Sequence, residues 1–294
     1  ELIEALADKT GLQKQEAKKV LDAYIEIVTE RMSENEEIVL VGFGTLIPRP
    51  QTQRLARNPK TGTPVMIPAR TTVKFKPGKF VNLGDTTSIL NKFVAELRDV
   101  DIQKDSLRFR RNVERIGEIM AYEISKEFHY STKDIQSPLG IAPMNTPDDQ
   151  IVISTILRAG LPFHQGFLRY LDNAENAFVS AYRKYKDRLN FDIHIEYIAS
   201  PRLTGKTLII SDPMLATGSS MELAYEALLT KGVPGHVHVA SIISSKQALE
   251  YLQKKMPDDK TTIWIAALDN DLDDHSYIVP GLGDAGDLAF GEKE

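Results

Sequence analysis

The sequence predicts an α/β protein with a mostly parallel sheet, preceded by a small α+β module. From residue 82 onward, helical and strand patterns alternate, and several strands are unbroken apolar runs, which is typical of parallel sheets covered on both faces. Residues 1–80 carry 13 Lys and Arg against 10 Asp and Glu, a balance of +3, although the whole chain carries −5. A length of 294 residues suits two domains. We therefore expect one domain at residues 1–80 and a second at residues 81–294.

The composition is that of a folded chain, with 42% apolar and 26% charged residues. The longest unbroken apolar run, residues 263–268, has six residues, whereas a membrane-spanning helix needs about 20, so no membrane partner is expected. The chain has no cysteine, which excludes disulfides, a thiolate nucleophile and sulfur-based zinc sites. These features predict a cytoplasmic protein.

The first domain begins with two predicted helices and continues in strands. Gly11 ends a short first helix. Apolar residues at a 3.6-residue period predict an amphipathic helix over residues 13–32 with one buried stripe, made of Ala17, Val20, Leu21, Tyr24, Ile25 and Val28. A strand pair with glycines at its bend follows at residues 38–46. Because so short a domain buries little core of its own, we expect it to dimerise.

A basic segment completes this domain. Residues 45–80 contain eight basic residues and no acidic one, which is typical of a surface that binds a polyanion. The alternative is a solvated basic hairpin without a partner. Within the segment, residues 57–62 (RNPKTG) predict a tight turn, because Asn and Gly permit positive φ and Pro fixes its own φ.

Four motifs give the first domain a family resemblance: VGFGTL at 41–46, RNPKTG at 57–62, IPA at 67–69 and FKPGK at 75–79. In this order and spacing they resemble the HU/IHF family of bacterial DNA-bending proteins, over residues 1 to about 80. The resemblance implies a nucleoid protein, a dimer whose β-arms grip the minor groove of duplex DNA and insert a proline between base pairs. The DNA-binding residues that it implies are Arg54, Arg57, Asn58, Pro59 and Lys60, with Pro59 as the wedge. Family members usually continue into a further short helix after FKPGK, so we expect a truncated module here.

The second domain alternates helices and strands. Helices fit residues 87–98 and 106–128, and strands fit 151–155, 178–182, 207–210, 237–243 and 263–267. In parallel sheets with right-handed crossovers, ligands bind beyond the carboxyl ends of the strands. The best candidate for that position is the SDPMLATGSS segment at residues 211–220, between a predicted strand and a predicted helix.

This segment has the residue types of a phosphate site. Thr217, Gly218 and Ser219 place N–H groups and hydroxyls at a helix N-terminus, whose partial positive charge favours a phosphate. Asp212, at the strand end, can accept hydrogen bonds from sugar hydroxyls. Ser219 and Glu222 predict a capping box for the helix. From these residues alone, a plain capped turn is the alternative.

Three other motifs do not fit their context. GKT at residues 205–207 precedes a strand and has Ser200 where a P-loop needs its first glycine. GLGDAG at residues 281–286 is followed by too few residues for a dinucleotide-binding fold. His236 and His238 share a strand face without a third ligand nearby in sequence, so we interpret them as structural and assign no metal-binding residue.

Three separated motifs give the second domain its own resemblance: LRAGL at 157–161, DPMLATGSS at 212–220 and YIVPGLGDAGD at 277–287. In this order they resemble the uracil phosphoribosyltransferase family, from about residue 82 to residue 294. The resemblance implies the type I phosphoribosyltransferase fold. It also implies a pyrimidine salvage reaction in which uracil and phosphoribosyl pyrophosphate (PRPP) give UMP and pyrophosphate, with Mg²⁺ held mainly through PRPP.

The resemblance further implies the residues of the site. Arg158, Asp212 and Asp284 would be catalytic, and the uracil-binding residues would be Ile278, Gly283, Asp284 and Ala285. The PRPP-binding residues would be Arg158, Arg183, Asp212, Pro213, Met214, Leu215, Ala216, Thr217, Gly218, Ser219, Ser220 and Asp284. Because the departing pyrophosphate carries several negative charges, cations and oriented N–H groups suit this chemistry.

Two hypotheses describe the whole chain. The first is a homodimeric or larger salvage enzyme with an N-terminal DNA-binding module. The alternative is an HU-like DNA-bending nucleoid protein whose transferase domain is secondary or artificially joined. No Gly-, Ser- or Pro-rich linker lies near residues 79–83, which argues against two freely moving domains.

Overall fold

The computed structural model describes residues 2–36, 38–40, 44–57, 64–67, 70–77, 80–185, 191–257 and 260–293. The chain divides into two units, Glu1–Gly78 and Lys79–Glu294, which we call the small unit and the large unit. Among the described helices, none is both long enough and apolar enough to cross a membrane.

The small unit contains two helices and antiparallel strands. Its elements are α1 (Leu2–Thr10), α2 (Lys14–Ser33), β1 (Ile38–Leu40), β2 (Gly44–Gln51), β3 (Arg54–Arg57), β4 (Pro64–Ile67) and β5 (Arg70–Pro77). Strands β1, β2 and β5 form one sheet in that order, and β3 pairs with β4. Both predicted helices and the strand pair that follows them are confirmed.

The predicted buried stripe of α2 is wrong for most of its members. Ala17 is buried, but Val20, Tyr24 and Ile25 expose 53%, 41% and 54% of their surface. The helix packs on α1 and on the three-stranded sheet. These contacts cover only part of the apolar face, so its other positions stay in solvent in a single chain.

The large unit is organised around one mostly parallel sheet. Its strands are β6 (Phe80–Asn82), β9 (Ile151–Leu157), β10 (Glu175–Tyr185), β11 (Phe191–Ala199), β12 (Thr207–Ser211), β13 (Met214–Leu215), β14 (His236–Ser245) and β15 (Thr261–Asp269). The order along the sheet is β11-β10-β9-β12-β14-β15-β6, and β13 pairs with β14. Only the β10–β11 pair is antiparallel among these described pairings. The five predicted strands and the mostly parallel sheet are confirmed.

Helices cover both faces of this sheet. They are α3 (Ile89–Arg98), α4 (Ser106–Ser125), α5 (Gly160–Leu168), α6 (Ser219–Leu229), α7 (Lys246–Lys255) and α8 (Ala285–Phe290). One buried cluster includes Phe109 and Phe163, from α4 and α5. A second includes Met221 and Leu249, from α6 and α7. The apolar strands therefore have a core on each side, which is why they read as unbroken apolar runs.

Three features of the large unit had no counterpart in the sequence analysis. The hairpin of β7 (Tyr130–Ser137) and β8 (Gly140–Pro147) pairs only with itself in the described structure. A short antiparallel pair joins β16 (Asp271–Leu272) to β17 (Ile278–Val279). Strand β6 pairs with residues Ile263–Ile265 of β15, so the sheet begins before the point where the second sequence pattern starts.

Candidate active site

A cavity of about 570 Å³ lies at the carboxyl ends of β9 and β12, the position expected for a ligand in a parallel sheet. Its walls bring together the three motifs that are far apart in sequence. Arg158 follows β9, Asp212 follows β12, and Asp284 precedes α8. All three line the cavity.

The DPMLATGSS segment forms one wall of this cavity. Its lining residues are Asp212, Met214, Leu215, Ala216, Thr217, Gly218 and Ser220. Pro213 and Ser219 do not line the described cavity. The Pro213 carbonyl instead accepts hydrogen bonds from the N–H groups of Ile242 and Ile243, at 3.2 and 3.0 Å, which ties the segment to β14. The Ser219 hydroxyl lies 2.7 Å from that of Thr217.

Helix α6 begins differently from the prediction. Its N-cap is Gly218, at φ +85°, with no side-chain cap. The predicted capping box of Ser219 and Glu222 is wrong, because the Glu222 carboxylate accepts a hydrogen bond from the Tyr251 hydroxyl and pairs with Lys255 at 3.0 Å. The bond from Tyr251, together with Lys255, holds the pKa of Glu222 below its ordinary value. Tyr251 and Lys255 therefore bind the Glu222 carboxylate, which is the acidic group in the first turn of α6.

The guanidinium of Arg158 is held by the end of the chain. Its Nη2 lies 2.6 Å from Asp287 Oδ1, and its Nη1 donates to the Gly291 carbonyl at 3.1 Å. Its Nε is buried and has no hydrogen-bond partner within the described residues. Arg158 also lies just before α5, so its charge adds to the partial positive charge of a helix N-terminus.

The residues predicted to bind uracil form a second part of the cavity wall. Ile278, Gly283, Asp284 and Ala285 all line the cavity. Asp284 caps α8, because its Oδ1 accepts the N–H groups of Gly286 and Asp287 at 2.8 and 3.0 Å. Ile278 and Ala285 are each 4% exposed, so this wall offers apolar surface and backbone groups.

Several predicted residues fall partly or wholly outside the described structure. Arg183 lies in β10 opposite Ile193, but its side chain is not described. Arg54 and Arg57 lie in β3, with backbones that pair with Ile67 and Pro64, and their side chains are likewise not described. Residues Asn58, Pro59 and Lys60 lie outside the described residues.

The sequence analysis missed some residues of the cavity. Tyr277 and Lys293 line it. Asp287 does not line the cavity but pairs with Arg158, which does. Tyr277 and Asp287 belong to the YIVPGLGDAGD motif, so that motif was the available signal. Lys293 had none.

The two strand histidines lie in a hydrogen-bonded cluster away from the cavity lining. The His236 and His238 rings are 4.6 Å apart. Glu127 joins them after α4, with one potential ligand atom of each residue within 4.8 Å of the others. Trp264 donates to His238 Nδ1 at 3.1 Å, and the Thr262 hydroxyl donates to Glu127 at 3.0 Å. Because the Trp264 N–H occupies the lone pair of His238 Nδ1, this atom acts as a hydrogen-bond acceptor in the core.

A mostly parallel sheet covered on both faces, with a hydroxyl-rich loop, an arginine and two carboxylates at the carboxyl ends of its strands, is typical of the phosphoribosyltransferase class. A solved structure, the AQ2163 protein from Aquifex aeolicus, is similar to the chain with a TM-score of 0.65 and 30% identity, covering 72% of this chain and 98% of that one. The family described as "Uracil phosphoribosyltransferase" matches residues 85–292, and the chain belongs to this family.

Curated relatives agree with that assignment. The uracil phosphoribosyltransferase of Porphyromonas gingivalis is 69% identical over 213 residues, which cover 72% of this chain and 98% of the relative. That of Methanothermobacter thermautotrophicus is 41% identical, covering 64% of this chain and 85% of the relative. The family described as "Bacterial DNA-binding protein" matches residues 1–83. The chain therefore combines a transferase domain with an HU-like DNA-binding domain.

Proposed function

We propose that the large unit transfers the phosphoribosyl group of PRPP to uracil, giving UMP and pyrophosphate. The observation that carries this proposal is the meeting of residues 157–161, 212–220 and 277–287 around one cavity. Membership of the uracil phosphoribosyltransferase family supports the choice of base.

The 5-phosphate and the ribose of PRPP occupy the wall at the start of α6 in this proposal. The first N–H groups of a helix have no acceptor within it and favour an anion. Thr217 and Ser220 add hydroxyls to that wall. Asp212 accepts the N–H of Met214 through Oδ1 at 3.2 Å, and its carboxylate accepts ribose hydroxyls as well.

Arg158 binds the pyrophosphate, with Arg183 as a second contact. As the bond between the ribose carbon and the pyrophosphate oxygen breaks, negative charge grows on the leaving group, and a preorganised guanidinium stabilises it. The ion pair with Asp287 fixes where that guanidinium points. Asp284, which also lines the cavity, contacts the ribosyl donor in this proposal. The uracil nitrogen then bonds to the ribose carbon, and its proton passes to water or to the departing pyrophosphate.

Uracil lies against Ile278, Gly283 and Ala285. The base is apolar except for its polar edge, so buried apolar side chains can hold its faces while backbone groups read the edge. Backbone donors and acceptors need no ordering of flexible side chains on binding, which favours affinity.

Mg²⁺ suits the donor set of this cavity, because Asp212 and Asp284 line it and carboxylate oxygens are its preferred protein ligands. Both carboxylates already accept backbone N–H groups. We therefore propose that PRPP oxygens and water would hold the ion without a direct protein ligand, and that Asp212 and Asp284 would act on it only through its bound water. When bound, Mg²⁺ neutralises charge on the pyrophosphate.

The test is the reaction itself. The full chain, supplied with PRPP and Mg²⁺, is expected to form UMP from uracil and to release one pyrophosphate per UMP. Chromatography measures both products. Orotate and hypoxanthine serve as matched bases and are expected to give no nucleotide. Product from either of them, without UMP from uracil, would contradict the proposal.

We propose that the small unit binds and bends duplex DNA. The family match over residues 1–83 supports the binding. The eight basic residues between 45 and 80, without an acidic one, supply the charge that phosphates attract. Binding would place the chain at the bacterial nucleoid, which lies in the cytoplasm. A chain without cysteine suits that reducing compartment.

We also propose that the chain is a homo-oligomer. The β7–β8 hairpin supports this, because a two-stranded ribbon is marginally stable alone and this one exposes large apolar side chains. Leu139 is fully exposed, and Ile141 and Met144 expose 65% and 55%. The exposed side of α2 makes the same case for the small unit. Light scattering of the purified chain measures the assembly directly.

A further inference from the structure

An ion pair lies beneath the turn that leads into the uracil wall. Arg98 is the last residue of α3, and Asp269 is the last residue of β15. Their side chains meet at two points, Nη2 to Oδ1 at 2.7 Å and Nη1 to Oδ2 at 2.8 Å. Asp269 is 6% exposed and Arg98 24%, so the pair is largely withdrawn from water. Such a two-point contact holds the guanidinium plane in one orientation.

The ion pair hydrogen-bonds to both backbone polar groups of one residue in the turn, Gly281. Asp269 Oδ2 accepts the Gly281 N–H at 2.9 Å, and Arg98 Nη1 donates to the Gly281 carbonyl at 2.9 Å. The N–H and the carbonyl of one residue belong to two successive peptide groups. The pair therefore fixes the planes of both peptides that flank the Gly281 Cα.

Gly281 has little freedom to move independently of the uracil wall. Its φ is +55°, and a Cβ at this position would lie 2.0 Å from the Ile278 carbonyl oxygen. Leu282, which follows Gly281, is 5% exposed, so its buried side chain anchors the backbone between Gly281 and Gly283. A displacement of Gly281 would therefore reach Ile278 on one side and Gly283 on the other, and both line the cavity.

Neither charged residue lines that cavity in the described structure. Arg98 instead lines a neighbouring cavity, which shares Gly283 and Asp284 with the first. The turn is thus a thin wall with the proposed substrate on one side and the ion pair behind it. An effect of Arg98 or Asp269 on catalysis must pass through the turn.

We propose that Arg98 and Asp269 are positioning residues that set the affinity for uracil by fixing the Gly281 peptides. The inference rests on the proposed function, since it assigns the pair to the uracil side of that reaction. Recognition through backbone groups depends on where the backbone lies, because no side-chain rotamer can compensate for a shift. Most of the proposed PRPP-binding residues lie in the DPMLATGSS segment, which is tied separately to β14, and only Asp284 follows the turn, so the pair affects PRPP binding less than uracil binding.

The test is a comparison of KM values in the full chain. Arg98→Met removes all three hydrogen bonds of the guanidinium, two to Asp269 and one to the Gly281 carbonyl, and Arg98→Lys keeps the charge but not the two-point geometry. We expect the KM for uracil to rise about tenfold or more in Arg98→Met and by a smaller factor in Arg98→Lys. The KM for PRPP should rise by a clearly smaller factor than the KM for uracil in both variants, because only Asp284 among the proposed PRPP contacts follows the turn. Asp269→Asn should resemble Arg98→Met.

Arg108→Met is the matched control. Arg108 also pairs with a carboxylate, Glu96, at 3.4 Å, but it is half exposed and does not contact the turn. Its substitution is expected to leave both KM values unchanged. Hydrogen exchange of the Gly281 amide gives a readout without catalysis, and it should become faster in Asp269→Asn, because the acceptor of that N–H is weakened.

The outcomes separate the two proposals. If the unaltered chain makes no UMP, the proposed function fails and this inference fails with it. If the chain is active but Arg98→Lys leaves the KM for uracil unchanged, or raises both KM values equally, only the positioning role is overturned. Should Arg98→Met fail to fold, the graded effect of Arg98→Lys still decides the question.

Discussion

The small unit and the large unit cover their apolar residues in different ways. In the large unit, two clusters of buried side chains lie on the two faces of one sheet. In the small unit, the buried apolar side chains among those described are Ala7, Ala17 and Met32. Both faces of the sheet in the large unit are covered, whereas α2 of the small unit leaves Val20, Tyr24 and Ile25 in solvent. Two regions of one polypeptide thus differ in how far they bury their own apolar residues.

The units also differ in the charge they present. The small unit has an uninterrupted basic segment, suited to a polyanion along an extended surface. The cavity of the large unit combines Arg158 with Asp212 and Asp284, suited to one small ligand that carries both phosphates and hydroxyls. Salt should therefore act very differently on their two ligands.

The largest expected effect is this difference in salt dependence. If the small unit neutralises six to ten phosphates, its affinity for duplex DNA should fall by about 10³–10⁵ between 50 and 200 mM salt. Uracil is uncharged, so its KM in the large unit should change little. Fluorescence anisotropy and UMP assays in the same buffers compare the two. A DNA affinity that does not respond to salt would contradict the polyanion interpretation.

Two substitutions separate the contribution of charge to DNA affinity from the contribution of the proline wedge to DNA bending. Pro59→Ala should preserve the salt slope and reduce the bend, because a wedge acts on base stacking. Arg57→Ala should lower the slope and leave the bend nearly intact. A fluorescence-transfer assay on a labelled duplex measures the bend.

The second effect concerns the large unit alone. Arg158→Ala should lower kcat for UMP formation by about 10²–10³, the loss typical of removing one group that stabilises developing negative charge. The affinity for DNA should not change. Arg169→Ala is the control, since Arg169 pairs with Glu114 at 3.0 Å and lies outside the described cavity lining. A kcat that survives Arg158→Ala would remove this residue from the site.

A third prediction concerns where the large unit begins. Strand β6 lies before residue 83, and Phe80 and Val81 pack against the two buried clusters. A fragment of residues 79–294 should therefore be more stable than one of residues 83–294 by about 2–4 kcal/mol, the value of burying part of two apolar side chains. Urea unfolding of both fragments measures this. Equal midpoints would show that β6 adds nothing to the sheet.

The smallest effect is a pH dependence within the large unit. His164 is buried, and burial lowers its pKa below the ordinary 6.5, although its hydrogen bond to Asn176 at 2.6 Å opposes this. The unfolded chain therefore takes up a proton near pH 6.5 while the folded chain does not, so stability is lost as the pH falls below that value. In His164→Gln, the free energy of unfolding should decrease less between pH 7.5 and 5.5. An identical decrease in both proteins would exclude His164 as its source.

Sequence periodicity predicted the central strands because each is covered on both faces, so that nearly every residue must be apolar. The β7–β8 hairpin was not predicted because most of its residues are exposed. Without a buried face, a hairpin has no regular alternation of apolar and polar residues in its sequence. The site motifs were visible because their residues are consecutive. The pair of Arg98 and Asp269 was not, because 171 positions separate two common residue types and only the fold brings them together.

The edge strand β6 has a consequence for the order in which the chain is completed. Phe80 pairs with Ile263, which leaves the ribosome long afterwards. At about 5–20 residues per second, synthesis of the intervening chain takes roughly ten to forty seconds. During that interval the small unit has already been synthesised, while the sheet of the large unit still lacks β15, the strand that pairs with β6. In the homo-oligomer proposed above, association through the small unit would begin on nascent chains, before any of them has all the residues that line the active-site cavity.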